Sequence, residues 1–217
     1  MTNATPVASP TRRPPLPLGE LGEYVDRQIA KLQRLQLARN APARAILAQL
    51  RRAANKPPGS VPNVWEFTLG GIPMPRGYEG DEPAPAEHGA HIAMTLYAFH
   101  QQSRGTGMHQ RGVGLGTALR RLTKGQDNDI AVTRRFQALG TAQDLDEIVF
   151  HARGLISQLR AASLPIDYGL LADQLVMVQD PRRIDAVRLR WGRDFHRAWE
   201  FEAATETETD LSNGDKS

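Results

Sequence analysis

The chain has 217 residues, 40% of them hydrophobic, with 27 Lys and Arg against 24 Asp and Glu and no cysteine. That length and apolar content suffice for one sizeable core or two small lobes, and the missing cysteine excludes disulfides and thiolate metal sites. No apolar run approaches membrane-spanning length and the N-terminus lacks a signal-type apolar stretch, so the sequence reads as a soluble, cytoplasmic protein with no membrane partner.

Residues 1–18 hold five prolines and two arginines without periodicity and read as a disordered arm. Leu21, Val25, Ile29, Leu32 and Leu35 then recur at helical spacing. A second helix opens at Asn40, a good N-cap, with Pro42 in the first turn where its missing N–H costs nothing. Ile46, Leu47, Leu50 and Ala54 form its expected inner face, leaving Arg44, Arg51 and Arg52 outside. "VPNVWEFTLGG" suggests a short helix burying Trp65, and the Pro/Gly-rich stretch 70–85 a mobile loop. A helix over roughly Ala86–Gln102 would bury Ile92, Leu96 and Phe99, with Ala93 and Tyr97 alongside. The clearest helical pattern runs through Leu145, Ile148, Val149, Ala152, Leu155, Ile156 and Leu159. A further helix follows Pro165, and a last one carries Ile184, Val187, Trp191, Phe195 and Ala198 on one face.

No segment shows sustained strand alternation. The expected architecture is all-α, about eight helices packed as two helical-bundle lobes with disordered N- and C-terminal tails. The expected divisions are the arm 1–18, an N-terminal lobe 19–124, a C-terminal lobe 125–202 and an acidic disordered tail 203–217.

Charge is unevenly placed. From Glu200 onward there are six acids and one Lys, which leaves residues 1–199 at +8, and Lys31 to Lys56 holds seven bases and no acid. Of the 27 bases, 23 are Arg, whose planar fork of donors suits phosphate and stacks on flat rings. A GC-rich genome would also raise the Arg count, but not the clustering.

The stretch "MHQRGVGLGTALRRL", Met108 to Leu122, poses the sharpest question, because Gly112, Gly114 and Gly116 alternate before an apolar helical pattern. A dinucleotide fingerprint needs G-x-G-x-x-G after a strand, and a phosphate-binding loop of the NTPase type needs Gly-Lys-Ser/Thr; neither is present, and no nucleotide cofactor is expected. The alternative is a flexible lead into a helix that packs Leu115, Ala118, Leu119 and Leu122 inward and carries Arg120, Arg121 and Lys124 to the flank or outside. A helix N-terminus is itself phosphate-friendly, and the bland reading is an ordinary helix start with solvated charges.

The surrounding text carries a resemblance. "TLYAFHQQ" (Thr95–Gln102), "MH", "GVGLGTALRRL", "RRFQAL", "PIDYGLLADQL" and "VRLRWGRDF" follow in an order and spacing that resemble the small subunit of the type I-E CRISPR Cascade surveillance complex, the CasB family. The likeness covers roughly Arg44 to Trp199, and the loop 70–85 and both tails look like additions to the family's core. It implies a non-catalytic, cofactor-free helical protein of two lobes. Its implied partners are the backbone and large subunits of Cascade, a second copy of itself, CRISPR RNA and target DNA strands. It would stabilise the R-loop without reading bases. Mapped onto this chain, the implied nucleic-acid contacts are Arg51 and Arg52, Arg120, Arg121 and Lys124, Arg134 and Arg135, and Arg153. Where relatives carry further bases after "RRF", this chain reads "QALGTAQD".

Other readings compete. His88 and His91 with Glu87, followed by His100 and His109, could form a metal-dependent hydrolase site, although no H-E-x-x-H or paired-acid constellation accompanies them. A helix-turn-helix reader would place Asp144, Asp146 and Glu147 against DNA phosphates, which is unfavourable. A helical protein–protein adaptor remains the main alternative. The last helix carries many arginines, but interleaved acids at pair spacing point to a solvated face or a subunit contact. The acidic tail is either a solubilising segment or one that folds back on the basic face.

Overall fold

The computed structural model describes residues 17–74, 77–123 and 129–196. The expected tails, the tip of the 70–85 loop and the expected lobe boundary at 124/125 therefore lie outside the described residues, apart from Pro17 and Leu18. Among the described residues the structure is all-α, with no strand and one isolated parallel bridge between His109 and Ile166. No helix among them is long and apolar enough to cross a membrane.

Helix α1 (Glu20–Leu37) buries Leu21, Val25, Ile29 and Leu32 as the spacing requires. Its own N-cap, Gly19, has no side chain to satisfy the first amides. Asp173 of a distant helix does so instead, accepting from the N–H groups of Gly19 and Gly22 at 2.7 Å each. In α2 (Ala41–Ala53) the Asn40 carboxamide accepts from Ala43 N–H at 3.0 Å, as its sequence position predicts. Its buried face is Ala43, Leu47, Leu50 and Ala53, so the inner stripe ends at Ala53 rather than Ala54.

A 3-10 turn (Pro62–Val64) and the one-turn α3 (Trp65–Thr68) follow. Here the expectation fails: Trp65 is 46% exposed and donates its indole N–H to Gly59 O, while Val64 and Phe67 are buried. In a single turn only one face meets the core, and Trp65 is on the other. Helix α4 (Pro85–His100) is buried without a break from Gly89 to Ala98, which makes it the centre of the molecule. Phe99 lies only partly in the core.

After α4, residues 108–113 are pinned to the stretch before α8, with a bridge at His109 and a turn at Arg111–Gly112. Gln110 N–H donates to Ile166 O, Ile166 N–H to Met108 O and Asp167 N–H to Val113 O. This replaces the expected flexible lead. Only Gly112 takes a positive φ, +83°, and its N–H is held by Asp167 Oδ2 at 2.7 Å. The other two glycines are there for closeness. A Cβ on Gly114 would lie 3.1 Å from the Asp194 carboxylate, and one on Gly116 only 2.3 Å from Trp191 O. A carboxylate at the start of α5 (Leu115–Thr123) is incompatible with a phosphate cradle there.

Helices α6 (Asp129–Thr141) and α7 (Leu145–Ala161) form an antiparallel pair, and α7 buries Ile148, Ala152, Leu155, Ile156 and Leu159 as its periodicity predicts. Asp144 caps α7 by accepting from Glu147 N–H at 2.8 Å. Helix α8 (Tyr168–Met177), capped by Asp167, packs against both α1 and α4. The last helix, α9 (184–196), buries Val187, Trp191 and Phe195, with Trp191 Nε1–H donating to Gln174 Oε1 at 2.8 Å.

The close approach of α5 and α9 sets a test. Gly116→Ala must push a methyl against the backbone atoms Trp191 O and Phe195 N, which cannot swing aside. It should cost about 2–4 kcal/mol in urea unfolding. Gly140→Ala, in open space near the end of α6, should instead be neutral or gain up to about 1 kcal/mol.

Candidate nucleic-acid interface

The helix ends at one side of the molecule gather arginines around a single aromatic ring. Phe99 sits in the last turn of α4, and Arg153 and Arg160 of α7 lie over its ring at 4.5 and 5.1 Å from the centroid. They are seven residues apart, two helical turns, and so project from one face of α7. The face of an aromatic ring attracts a nearby guanidinium through its quadrupole. Arg51 reaches in from α2 and donates to Ala98 O at 3.3 Å, close to the electronegative C-terminal end of α4. Arg104 donates to Ser163 Oγ at 3.2 Å from the segment after α4.

These cations feel one another. Burial first, then the charges of Arg160 and Arg52, pull the Arg51 guanidinium below its usual range. His100, fully buried beneath the cluster, is pushed down to about 4, chiefly by burial and further by Arg160 and Arg104. The imidazole is therefore neutral at physiological pH and adds no charge of its own.

The cluster continues onto α6. Arg135 lies across Gly154, where a Cβ would meet its Cδ at 3.0 Å, and Gly154 adjoins Arg153. Arg134 and Arg135 are exposed on α6, and Arg52 is exposed on α2. The structure thus brings together Arg51, Arg52, Arg135 and Arg153 of the predicted set, across α2, α7 and α6. Arg121 is exposed on α5, the helix packed beside α6 and α7. Arg120 is turned inward instead of outward, 7% exposed, with its guanidinium 5.9 Å from the Phe195 ring and Nη1 donating to Thr123 Oγ1. The glycine-mediated contact of α5 with α9 explains this, because it covers the face from which Arg120 projects. Lys124 lies outside the described residues.

Three contributors escape the sequence reading: Arg160, Arg104 and Phe99. Arg160 is legible in principle, as the i+7 repeat of Arg153. Phe99 reads as core because its spacing fits the apolar stripe, and spacing does not say which turn of a helix emerges at the surface.

The charges of this face are not neutralised by paired acids. Among the described residues, none of Arg51, Arg52, Arg104, Arg121, Arg134, Arg135, Arg153 and Arg160 has a carboxylate within 4 Å. Three arginines elsewhere are paired, Arg111 with Glu23 and Asp26, Arg188 with Asp185, and Arg190 with Asp194. The pairs on α9 match the interleaved acids of its sequence.

The buried histidines His91, His100 and His109 each have a structural partner. His91 Nε2 lies 3.1 Å from Ala53 O, and among the described residues neither it nor His88 belongs to a group of three metal-type ligands. Asp26, His109 and Asp167 do converge. Each already has protein partners: His109 Nδ1 accepts from Tyr168 N–H and Asp167 from Gly112 and Leu170 N–H. His109 Nε2 faces Asp26 at 2.9 Å, and Arg111 already balances Asp26. The group clamps α1, residues 108–113 and α8 together.

The family model described as CRISPR-associated protein Cse2 matches residues 46–196. No curated protein matches. Among solved structures, CasB from Thermobifida fusca is 39% identical, with 83% of this chain and 99% of that one covered and a TM-score of 0.69. A Cse2-family CRISPR-associated protein from Thermus thermophilus is 29% identical, with 81% and 97% covered and a TM-score of 0.57. A chain of a CRISPR RNA-guided surveillance complex shares the fold at 21% identity, with 86% and 99% covered and a TM-score of 0.66.

The buried His100 carries a pH signature. Its folded pKa of about 4 lies below the ordinary value, so the unfolded chain takes up the proton first as pH falls. Its contribution is complete above about pH 6.5 and lost toward pH 4, on the order of 3 kcal/mol. His91, also lowered by burial, acts in the same direction. Urea unfolding between about pH 7 and 4.5 should show a falling stability whose slope is reduced in His100→Asn, even though that variant is less stable throughout.

Proposed function

Because this chain belongs to the Cse2 family of CRISPR-associated proteins, also called CasB, the small subunit of type I-E Cascade, we propose that it offers opened DNA strands a sequence-independent arginine track and so stabilises the R-loop. It does so as a non-catalytic subunit, beside the backbone and large subunits, a second copy of itself, and the CRISPR RNA. The observation that carries this reading is the run of unneutralised guanidiniums from Arg135 through Arg153 and Arg160 to Arg51 and Arg52. Like charges are costly to hold together, and a polyanion repays that cost by bridging them. Guanidinium forks gathered on Phe99 suit phosphate oxygens, and none of this geometry reads a base edge. Base pairing to the guide would supply sequence, and the protein backbone charge.

The adaptor reading draws on Phe150, 74% exposed on α7, and Ile130 on α6, which suit a protein contact. The two readings separate in solution.

Purified chain should bind single-stranded DNA of two unrelated sequences with equal affinity and a steep salt dependence, about 0.7 in log–log slope per phosphate contact. Changing Arg134, Arg135, Arg153 and Arg160 to Glu should weaken binding more than about tenfold at low salt and flatten that slope. Equal binding by this variant, or no binding at low salt, would bring the adaptor reading forward. Phe99→Leu keeps every charge but removes the ring that orients Arg153 and Arg160. It should weaken DNA binding roughly three- to tenfold with its urea midpoint little changed.

A further inference from the structure

Phe150 of α7 is 74% exposed, the highest value for a large apolar side chain among the described residues. It meets the His151 ring edge-on at 5.3 Å between centroids, which leaves at least one face of the phenyl ring open. An exposed phenylalanine is ordinary by itself. The surroundings of this one give it a use. Arg153 follows it by three residues and Gly154 by four. On a helix of 3.6 residues per turn they flank Phe150, about 60° to one side and about 40° to the other. Arg153 is held over Phe99 at 4.5 Å, and the Gly154 position is covered by Arg135 of α6, whose Cδ a Cβ there would meet at 3.0 Å. Toward the start of α7 the surface turns acidic. Asp146 is exposed, and Glu147 accepts from Gln143 N–H at 2.7 Å and lies 3.6 Å from His151.

We propose that Phe150 is a base-stacking platform for single-stranded nucleic acid: phosphates seat on Arg135 and Arg153, and an unstacked base lies on the open face of the ring. The inference rests on the function proposed above and names the form of nucleic acid that this face takes.

Charge divides the surface as it divides a nucleotide. Phosphate is drawn toward the two arginines and repelled from Asp146 and Glu147, whereas a base carries no net charge and loses nothing at that border. The rise along α7 from Phe150 to Arg153 and Gly154, about 4.5–6 Å, is close to the separation of a base from its own phosphate. A cationic track beside an aromatic ring is the combination that holds single strands, and every base has a face to offer, so stacking adds affinity without reading sequence. In a duplex those faces are covered by neighbouring bases, and the ring gains nothing. A protein partner fits the ring less well. Ile130, the next most exposed apolar side chain, lies five residues before Arg135. Because α6 and α7 run antiparallel, it is displaced away from Phe150 and does not extend an apolar patch around it.

Binding of the full chain to two single DNA strands of equal length, one of mixed sequence and one with tetrahydrofuran abasic sites throughout, tests this. At low salt Phe150→Leu should weaken binding of the base-bearing strand roughly five- to twentyfold and leave the abasic strand unchanged. Its salt slope should match the parent's, since no phosphate contact is lost. Phe150→Trp, which keeps a ring, should bind the base-bearing strand at least as tightly as the parent. Both variants should keep the parent's urea midpoint, because the side chain lies outside the core. Equal affinity of parent and Phe150→Leu for the base-bearing strand would overturn the stacking and leave the arginine track standing, with the ring free for a protein contact. An equal loss on both strands would also overturn it, since the ring would then act through the arginines. If the parent binds neither strand at low salt, the stacking and the function it rests on both fall.

Discussion

The fold depends on the place where α1 and α8 touch backbone to backbone. A Cβ on Gly22 would lie 2.2 Å from Asp173 Oδ2 and 2.9 Å from Gly169 O, so no side chain fits between the two helices. That closeness lets the Asp173 carboxylate cap α1 from across the crossing, half-buried and with its pKa raised mainly by burial. From α8 the consequences spread outward. Its N-cap, Asp167, holds the segment 108–113 and hence the start of α5, and Gln174 in its later turns holds Trp191 of α9. Helix α9 then positions Phe136 and Arg120. The arginine face is thus set by a crossing in which none of its members takes part.

The elements with one-sided periodicity are readable from the sequence. The α7 stripe, the Asn40 cap and the Val187–Trp191–Phe195 face all follow from local rules, because each helix meets a single core. What is not readable depends on long-range closeness. Gly114 and Gly116 look like loop glycines in the sequence; they are contact glycines, a distinction set by Asp194 and Trp191 far along the chain. The same contact turns Arg120 inward. Trp65, the largest side chain of its segment, stays exposed because a one-turn helix has too little length to bury two faces. On the arginine face, the paired bases of α2 and α6 and Arg153 are visible as clusters, whereas Phe99 and Arg160 acquire their meaning only where α4 ends against α7.

Two kinds of arginine coexist in the chain, and their surroundings separate them. At Arg188 and Arg190 of α9 and around Arg111, acids sit at pair spacing or across a helix crossing, and these charges are balanced within the protein. Around Phe99 the protein supplies a flat ring, a backbone carbonyl and a serine hydroxyl, all of which orient a guanidinium without cancelling its charge. Orientation without neutralisation leaves a standing positive potential, which adds to burial in depressing the pKa of the neutral His100 beneath it. Such a surface is stable only because helix packing elsewhere holds it together.

The α1–α8 crossing also bears on the order in which the chain can fold as it is made. Its hydrogen bonds join residues 151 and 154 positions apart. Helix α4, buried on every side from Gly89 to Ala98, needs α8 to cover it, so its surface stays open until residues 168–177 have left the ribosome. Closing loops of that length is slow, and exposed apolar surface invites association meanwhile. Synthesis of the second half of the chain is therefore a condition for burying the centre of the first.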